Sequence, residues 1–220
     1  MFLAESGIRE ANATIALVGC AMVQYPKKIE LQMEQLQKDL LHDRYFPREE
    51  KQRLKAQGFF LGVDHAMTRS RMLEFLSVAD FDFFVFYIEK TLWSGREDEL
   101  RTELLRHLLR DRLPSPRWPI ETICGDVEKL YSRLSAVGAG LRAEGWKEEQ
   151  LPVVLAPKKA WDFNLLVVQY ASDIVRTRLE QIMAGPPFPP QPYVDHFRTK
   201  LRMVEHMETG KRFHRKCPLP

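Results

Sequence analysis

The chain has 220 residues and a mass of 25.8 kDa; 45% of the residues are hydrophobic, 29% charged and 10% aromatic. This composition excludes a wholly disordered chain, and the length allows a sizeable buried core. No run approaches the roughly 20 apolar residues that a bilayer span requires, so the sequence predicts no membrane partner. The opening residues lack a signal-peptide pattern, and Cys20, Cys124 and Cys217 fit neither a disulfide framework nor a zinc site. We therefore expect a cytoplasmic protein.

The net charge of +3 is unevenly distributed. Residues 196–220 carry seven lysines and arginines against two acids, whereas the rest of the chain has a small excess of acids. A basic C-terminal segment can follow the phosphates of a nucleic acid, but it is also a common solubilising end. Both interpretations are open at this point.

Hydrophobic patterns predict an opening β-hairpin followed by alternating helices and strands. The hairpin combines a short apolar run at 2–4 with a β-rich run at 13–23. Further strands are expected at 81–88, 120–124 and 152–156, with 59–62 as a short strand or a loop. Helical spacing predicts helices at 29–41, 64–78, 97–112, 127–143, 163–183 and 194–207, with 44–55 partly helical. Asp64 is the expected N-cap of its helix.

This order predicts an α/β fold, with a mixed, mainly parallel sheet and helices on its faces. The apolar run at 81–88 is expected to be a central strand because it is nearly continuous. The ribonuclease H-like arrangement is one such fold, and others fit the pattern equally well. We expect residues 1–185 to form this domain, and residues 186–220 to form a proline-rich linker, a terminal helix and a basic tail.

Acidic residues at the ends of predicted elements are the main candidates for chemistry. The sequence contains no Gly-rich phosphate loop, no G-x-S-x-G elbow and no H-E-x-x-H motif. Carboxylates at the strand ends of an α/β sheet suit Mg²⁺ or Mn²⁺, which prefer oxygen ligands. The candidates are Glu5, Asp64, Glu89, Asp126 and Asp173.

Asp173 stands out because it lies inside an apolar helical run, with Gln169, Tyr170 and either Arg176 or Thr177 on the same face. A buried acid must lose its charge or find a cation. Either a salt bridge to a buried Arg or Lys or a role as a metal ligand satisfies this requirement.

The motifs of the chain, taken in order, resemble those of a known family. The opening F-L-A-E-S-G is similar to the motif F-x-D-E-S-G, and A-L-V-G-C-A-M-V continues it as a strand. Gly58-Phe59-Phe60, Asp64 with Arg69, Glu89-Lys90 and Gln169 to Asp173 follow in the family's order. This pattern, over about residues 1–182, resembles a bacterial and phage family of unknown function, numbered 3800 among such domains.

The resemblance implies a ribonuclease H-like fold and a metal-dependent nuclease that hydrolyses DNA or RNA, in a phage-defence or mobile-element setting. It implies Mg²⁺ or Mn²⁺ as cofactor and a nucleic acid as partner. Asp173 and Asp64 are then the expected metal ligands. Glu5 is expected to be a ligand only if the first strand has already ended, and otherwise to lie behind the ligands. Lys90 is expected to steady a phosphate as a point charge, unless it is simply a solvated strand-end lysine.

Two departures from the family pattern affect this interpretation. Ala4 stands where the family carries the first-strand Asp, the central metal ligand of ribonuclease H-like nucleases. The change fits a natural inactive member or a substitution introduced to inactivate the protein, and the intact neighbouring motif favours the second. The His that often precedes the middle Asp is also missing, although His65 follows Asp64. We therefore expect a chain that is inactive or weakened.

Two other functions fit the same sequence. In the first, the chain is a non-catalytic interaction subunit that binds a partner protein or nucleic acid through its basic C-terminal tail. In the second, it is a small-molecule phosphohydrolase with the same metal chemistry. Oligomeric state and the choice between DNA and RNA are open.

Overall fold

The computed structural model describes residues 1–112, 122–125, 128–147, 153–155, 162–185 and 192–219. Within these residues the strands are β1 (Phe2–Ser6), β2 (Ile15–Met22), β3 (Asp82–Glu89), β4 (Thr122–Gly125), β5 (Val153–Leu155), β6 (Leu201–His206) and β7 (Arg212–Phe213). The α-helices are α1 (Pro26–His42), α2 (Arg48–Gln57), α3 (Ala66–Val78), α4 (Glu97–Arg112), α5 (Glu128–Ala143), α6 (Phe163–Ala184) and α7 (Pro192–Phe197). The described helices include none with the length and apolar character that a bilayer crossing needs.

The seven described strands form one mixed sheet in the order β5-β4-β1-β2-β3-β6-β7. Within that sheet the parallel pairs are β1–β4, β4–β5 and β3–β6, and the antiparallel pairs are β1–β2, β2–β3 and β6–β7. The expected α/β class and opening hairpin are confirmed. The expectation of a mainly parallel sheet is wrong, because half of the described pairings are antiparallel.

Helices cover both faces of the sheet, and alternate residues of β1 and β2 point to opposite sides. On one face, Ala4 and Leu17 belong to an apolar cluster with residues of α1, α3, α6 and α7. On the other face, Leu3 and Val18 belong to a second cluster with the leucines of α4 and α5. The strand β3 is central as expected, and its aromatic residues are core residues.

Local sequence signals explain where the helix that carries Asp173 begins and ends. The Asp162 carboxylate caps α6 by accepting hydrogen bonds from the backbone N–H groups of Asn164 and Leu165. The helix ends at Gly185, whose φ of +87° is a left-handed conformation that favours glycine. The long helix expected at 163–183 is thus confirmed.

The C-terminal region differs from the expectation. The helix α7 ends at Phe197, and Leu201–His206 forms the strand β6 instead of continuing the helix. The strand pairs in parallel with β3, so the open edge of β3 selects the extended conformation. Residues 201–206 and 212–213 are therefore part of the sheet. Of the expected proline-rich linker at 186–192, residues 186–191 lie outside the described residues and Pro192 begins α7.

Two smaller expectations have different outcomes. Residues 59–62 lie in the loop between α2 and α3, which is one of the two expected alternatives. The N-cap of α3 is His65, whose Nδ1 accepts a hydrogen bond from the backbone N–H of Met67, and not Asp64. Met72, Phe75 and Leu76 are among the buried apolar residues by which α3 packs against the core.

The contact between β2 and α6 is close because of Gly19. A Cβ atom added at Gly19 would lie 2.0 Å from Ser172 Oγ and 2.8 Å from Phe83 Cζ. Ser172 and Phe83 are both fully buried, so neither can move into solvent. The absence of a side chain at Gly19 therefore sets how near α6 lies to the sheet.

We predict that Gly19→Ala lowers the free energy of unfolding by about 1–3 kcal/mol, because it overpacks this contact. Urea denaturation measures the change. The control is Gly140→Ala in α5, where an added Cβ meets nothing within 4 Å. That variant should be as stable as the parent chain or more stable by up to about 1 kcal/mol. Equal stability of the Gly19→Ala variant and the parent chain would contradict the prediction.

Candidate functional site

The opening strand and α6 meet through a hydrogen bond between Ser6 and Asp173. Ser6 Oγ donates to Asp173 Oδ1 at 2.6 Å. The Gln169 side-chain amide donates to the same Asp173 oxygen at 3.2 Å and to the backbone oxygen of Glu5 at 3.1 Å. Two motifs that lie more than 160 residues apart in the sequence are therefore in direct contact.

Arg176 completes this cluster from the next turn of α6. Its Nε donates to Ser6 Oγ at 2.7 Å, so the Ser6 hydroxyl lies between the Arg176 guanidinium and the Asp173 carboxylate. The same guanidinium forms ion pairs with Glu10 at 3.0 Å and with Glu180 at 3.3 Å. Arg176 thus ties the loop after β1 to the helix.

Burial raises the pKa of the Asp173 carboxyl above its ordinary value. The Ser6 hydrogen bond and the Arg176 charge oppose this shift but do not cancel it. The negative charge of Asp173 is therefore only partly compensated. Perturbed carboxyls of this kind are concentrated at functional sites, although structural ion-pair networks also contain them.

Ala4 lies on the same face of β1 as Ser6, since alternate residues of a strand share a face. It is buried and belongs to the apolar cluster that contains Val167 and Ala171 of α6. Positions 4 and 6 of a strand are about 6–7 Å apart. A longer side chain at position 4 would start on the face of β1 that Asp173 contacts.

Glu5 points to the opposite face of the sheet. Its Oε2 lies 2.8 Å from Nε of Arg101 in α4, a guanidinium whose side chain is 4% exposed. Burial raises the pKa of Glu5, and the charge of Arg101 offsets part of that shift. Because β1 continues through Ser6, the strand separates the Glu5 carboxylate from that of Asp173. The structure therefore places Glu5 apart from the expected ligand set.

Asp64 holds the turn between α2 and α3. Its side chain is fully buried, pairs with Arg53 and accepts a hydrogen bond from the backbone N–H of Phe60 at 3.0 Å. Burial nevertheless raises the pKa of Asp64, and the carboxyl is near enough to Tyr170 for the two groups to shift each other's pKa. Arg53 also binds Glu50, which it helps to hold at a pKa of about 2. These contacts give Asp64 a structural role.

Lys90 closes the loop between β1 and β2. Its ammonium group donates to the backbone oxygens of Gly7, Ile8 and Glu10 at 3.2, 3.1 and 3.0 Å. A lysine ammonium has three N–H donors, so these contacts engage all of them. The structure therefore gives Lys90 a structural role in place of the expected phosphate contact or solvated position. Gly7, with a φ of +75°, adopts the left-handed conformation with which this loop begins.

The donors that the described residues present do not fit a divalent metal. Among the residues that the structure describes, no three or more His, Cys, Asp or Glu side chains are placed to hold an ion. Asp173 is beside Ser6 and Arg176, Glu5 is on the other face of the strand, and Asp64 is paired with Arg53. Asp126, another sequence candidate, lies outside the described residues.

Sequence reasoning missed two arginines that organise this region. Arg176 is close to Asp173 on α6, and this position could have indicated a partner for an acid in the opening loop. Arg101 lies on the apolar stripe of α4 with Leu104 and Leu108, and it is buried. A charged residue at a core position of a helix signals a carboxylate partner, and here that partner is the half-buried Glu5.

Comparison with models of known protein families finds no match for this chain, and comparison with curated proteins finds none either. The resemblance to the family numbered 3800 therefore stays a prediction.

We predict that Lys90→Gln lowers the free energy of unfolding by about 1–3 kcal/mol, because carbonyl groups of the loop lose a charged donor. Thermal and urea denaturation measure the loss. The matched control is Lys38→Gln, at an exposed position of α1. A change no larger than that of the control would contradict the loop-closing role of Lys90.

We also predict that Asp173→Asn makes the protein more stable at neutral pH. The folded-state pKa of Asp173 is raised, so the native carboxyl binds its proton more tightly than the unfolded one. The parent chain therefore loses stability as the pH rises from below the unfolded value of about 3.9 through the folded pKa. The asparagine variant lacks this loss and can still accept the Ser6 and Gln169 hydrogen bonds.

Urea denaturation at a series of pH values tests this prediction. The stability difference should vanish in acid and reach a plateau near neutrality. The control is Asp80→Asn at an exposed position, which should show no such pH-dependent gain. A variant that is less stable than the parent at neutral pH would show that the charge of Asp173 is fully compensated.

Proposed function

We propose that this chain is a ribonuclease H-like domain of a metal-dependent nuclease, acting on the phosphodiesters of DNA or RNA, and that Ala4 leaves it inactive or weakened. One observation carries the proposal. The partly compensated Asp173 carboxylate is held against β1 by Ser6, on the face of the strand that also carries Ala4. An Asp at position 4 would add a second carboxylate beside it.

The sheet topology supports this choice of fold. The strand β1 lies between antiparallel β2 and parallel β4 at the centre of the sheet. This combination of an antiparallel opening and parallel later strands is compatible with the ribonuclease H-like arrangement. In open α/β sheets, ligands bind outside the carboxyl ends of the strands. Ser6 and Asp173 meet at the carboxyl end of β1.

Mg²⁺ or Mn²⁺ would supply activation of water and neutralisation of phosphate charge in such an enzyme. The chain as it stands offers no complete set of donors for either ion among its described residues. We therefore derive no catalytic step for it. The missing donor explains why the proposed enzyme would lack activity with Ala4 in place.

The test is the variant Ala4→Asp, assayed on single-stranded and duplex DNA and RNA with Mg²⁺, with Mn²⁺ and with EDTA. We predict a gain of cleavage that EDTA abolishes, because two carboxylates can share a cation that one cannot hold. Titration of Mn²⁺ by electron paramagnetic resonance should show binding that the parent chain lacks. The double variant Ala4→Asp, Asp173→Asn should lose both gains while remaining folded.

Two results would count against the proposal. The first is an Ala4→Asp variant that folds but binds no Mn²⁺ and cleaves no nucleic acid. The second is cleavage that survives Asp173→Asn in the same background, because the activity would then arise elsewhere.

The second candidate is a non-catalytic interaction subunit. The contacts of the acidic side chains favour it. Asp173, Glu5 and Asp64 each contact a hydroxyl or a guanidinium, as acids with a structural role do. Its signature is an Ala4→Asp variant that binds no metal, together with an association that requires residues 200–220. Binding of the parent chain to a partner in the presence of EDTA separates this function from a metal-dependent one.

A further inference from the structure

The last two strands carry a basic surface along one edge of the sheet. Residues 192–219 contain seven lysines and arginines against three acids, and one of these acids, Glu205, is buried. Three of the seven form ion pairs with carboxylates: Arg198, Arg202 and Arg212. The four remaining cations are therefore the ones available to bind an anion.

Four cations lack a carboxylate partner among the described residues, and we call them the hairpin cations: Lys200, Lys211, Arg215 and Lys216. Three of them are exposed, and Lys200 is half-buried. Glu208 at the hairpin tip and Asp195 in α7 are the exposed acids nearby in sequence. An unpaired exposed cation keeps its full attraction for an anion, whereas a paired one does not.

The hairpin cations whose contacts place them beside β6 lie at the two ends of that strand. Arg215 donates to the backbone oxygen of Thr199, which places it with Lys200 near the beginning of the strand. Lys211 lies at the other end, since its backbone oxygen accepts a hydrogen bond from His206 N–H. A six-residue strand is about 20 Å long, so the cations match an extended polyanion better than a single phosphate.

A small apolar cavity lies beside Arg215. It is lined by Val194, Leu201, Phe213 and Leu219 together with Arg198, His214 and Arg215, and its volume of about 20 Å³ holds about one water molecule. The recess is too small to enclose a base. A single strand can instead lay the face of an unpaired base against this apolar surface while a phosphate meets Arg215. A duplex keeps its bases stacked inside and so offers the recess no base. An acidic peptide would fit only if it carried an apolar side chain opposite the recess.

The register of the sheet connects this surface to the site on α6. Ser6 pairs with Leu17, Leu17 with Tyr87, and Tyr87 with His206. Three strand spacings separate Ser6 from His206, a distance of about 14 Å. The Lys211 end of the hairpin and the Asp173 cluster are therefore at the same end of the sheet.

We propose that the β6–β7 surface binds single-stranded nucleic acid, with phosphates along the hairpin cations and the strand leading toward Asp173. The proposal rests on the proposed function for the choice of a phosphodiester ligand. It adds a binding track that does not depend on position 4 or on a metal.

The test is fluorescence anisotropy of labelled oligo(dT) with the parent chain over a range of salt concentrations, in EDTA. Replacing all four hairpin cations by Gln should weaken binding at least about tenfold at low salt and reduce the slope of log K against log salt by about 3. The exposed pair Lys211→Gln, Lys216→Gln, which leaves the Arg215 contact intact, should reduce the slope by about half as much.

The matched control replaces four exposed bases of α1 and α2 by Gln, with the same change in net charge: Lys28, Lys38, Arg48 and Lys55. Its salt slope should equal that of the parent chain. Equal slopes for the control and the hairpin variant would overturn the proposal, as would a parent chain that binds no oligo(dT).

Competition experiments test the chemical class of the ligand. Unlabelled oligo(dT) should displace the labelled strand better than duplex DNA or poly-L-glutamate does. Equal or better displacement by poly-L-glutamate would assign the surface to an acidic protein, and tighter binding of the duplex would contradict a single-strand track.

The two proposals fail separately. Salt-dependent oligo(dT) binding without any cleavage by the Ala4→Asp variant would leave only the binding track. Cleavage by that variant at a rate unaffected by neutralising the hairpin cations would leave only the nuclease.

Discussion

The hydrogen bond from Ser6 to Asp173, with Arg176 on the other side of the hydroxyl, joins the first strand of this protein to its longest described helix. A buried carboxyl is stable only where donors and a cation surround it, so this contact fixes which turn of α6 faces β1. Gly19 allows the approach from β2, because no side chain separates that strand from Ser172. The position of Asp173 is therefore set by two things: its polar contacts with Ser6 of β1, and the close packing of its neighbour Ser172 against the backbone of β2.

The acids of the sequence motifs are distributed over three environments instead of one. Asp173 faces β1 from α6, Glu5 is half-buried and paired with Arg101 on the opposite face, and Asp64 is paired with Arg53 in a turn. Each carboxyl is desolvated, and burial is the main cause that raises the pKa of all three. Three carboxyls with raised pKa values would suggest a single shared site. The structure instead places the three groups in separate parts of the molecule.

The sequence predicted most of the elements because their signals are local. Alternating or continuous apolar residues indicated β2 and β3, and the helical spacing of apolar residues indicated α1, α3, α4 and α6. The C-terminal strand β6 escaped prediction because its pairing partner, β3, is more than 100 residues earlier in the chain. A short segment with both apolar and charged residues adopts whichever conformation its neighbours can complete with hydrogen bonds.

The amino-acid sequence by itself determined the α/β class, the opening hairpin, and the isolation of Asp173 in an apolar helix, since periodicity and residue type carry that information. It also determined that Ala4 and Glu5 point to opposite faces, because side chains alternate along any strand. Only the tertiary structure decided the partners: Ser6 for Asp173, Arg101 for Glu5, and the β1–β2 loop for Lys90. The strength of a contact between polar or charged groups depends on the distance between them and on how far each is removed from water. Both are properties of the folded chain and cannot be read from the sequence.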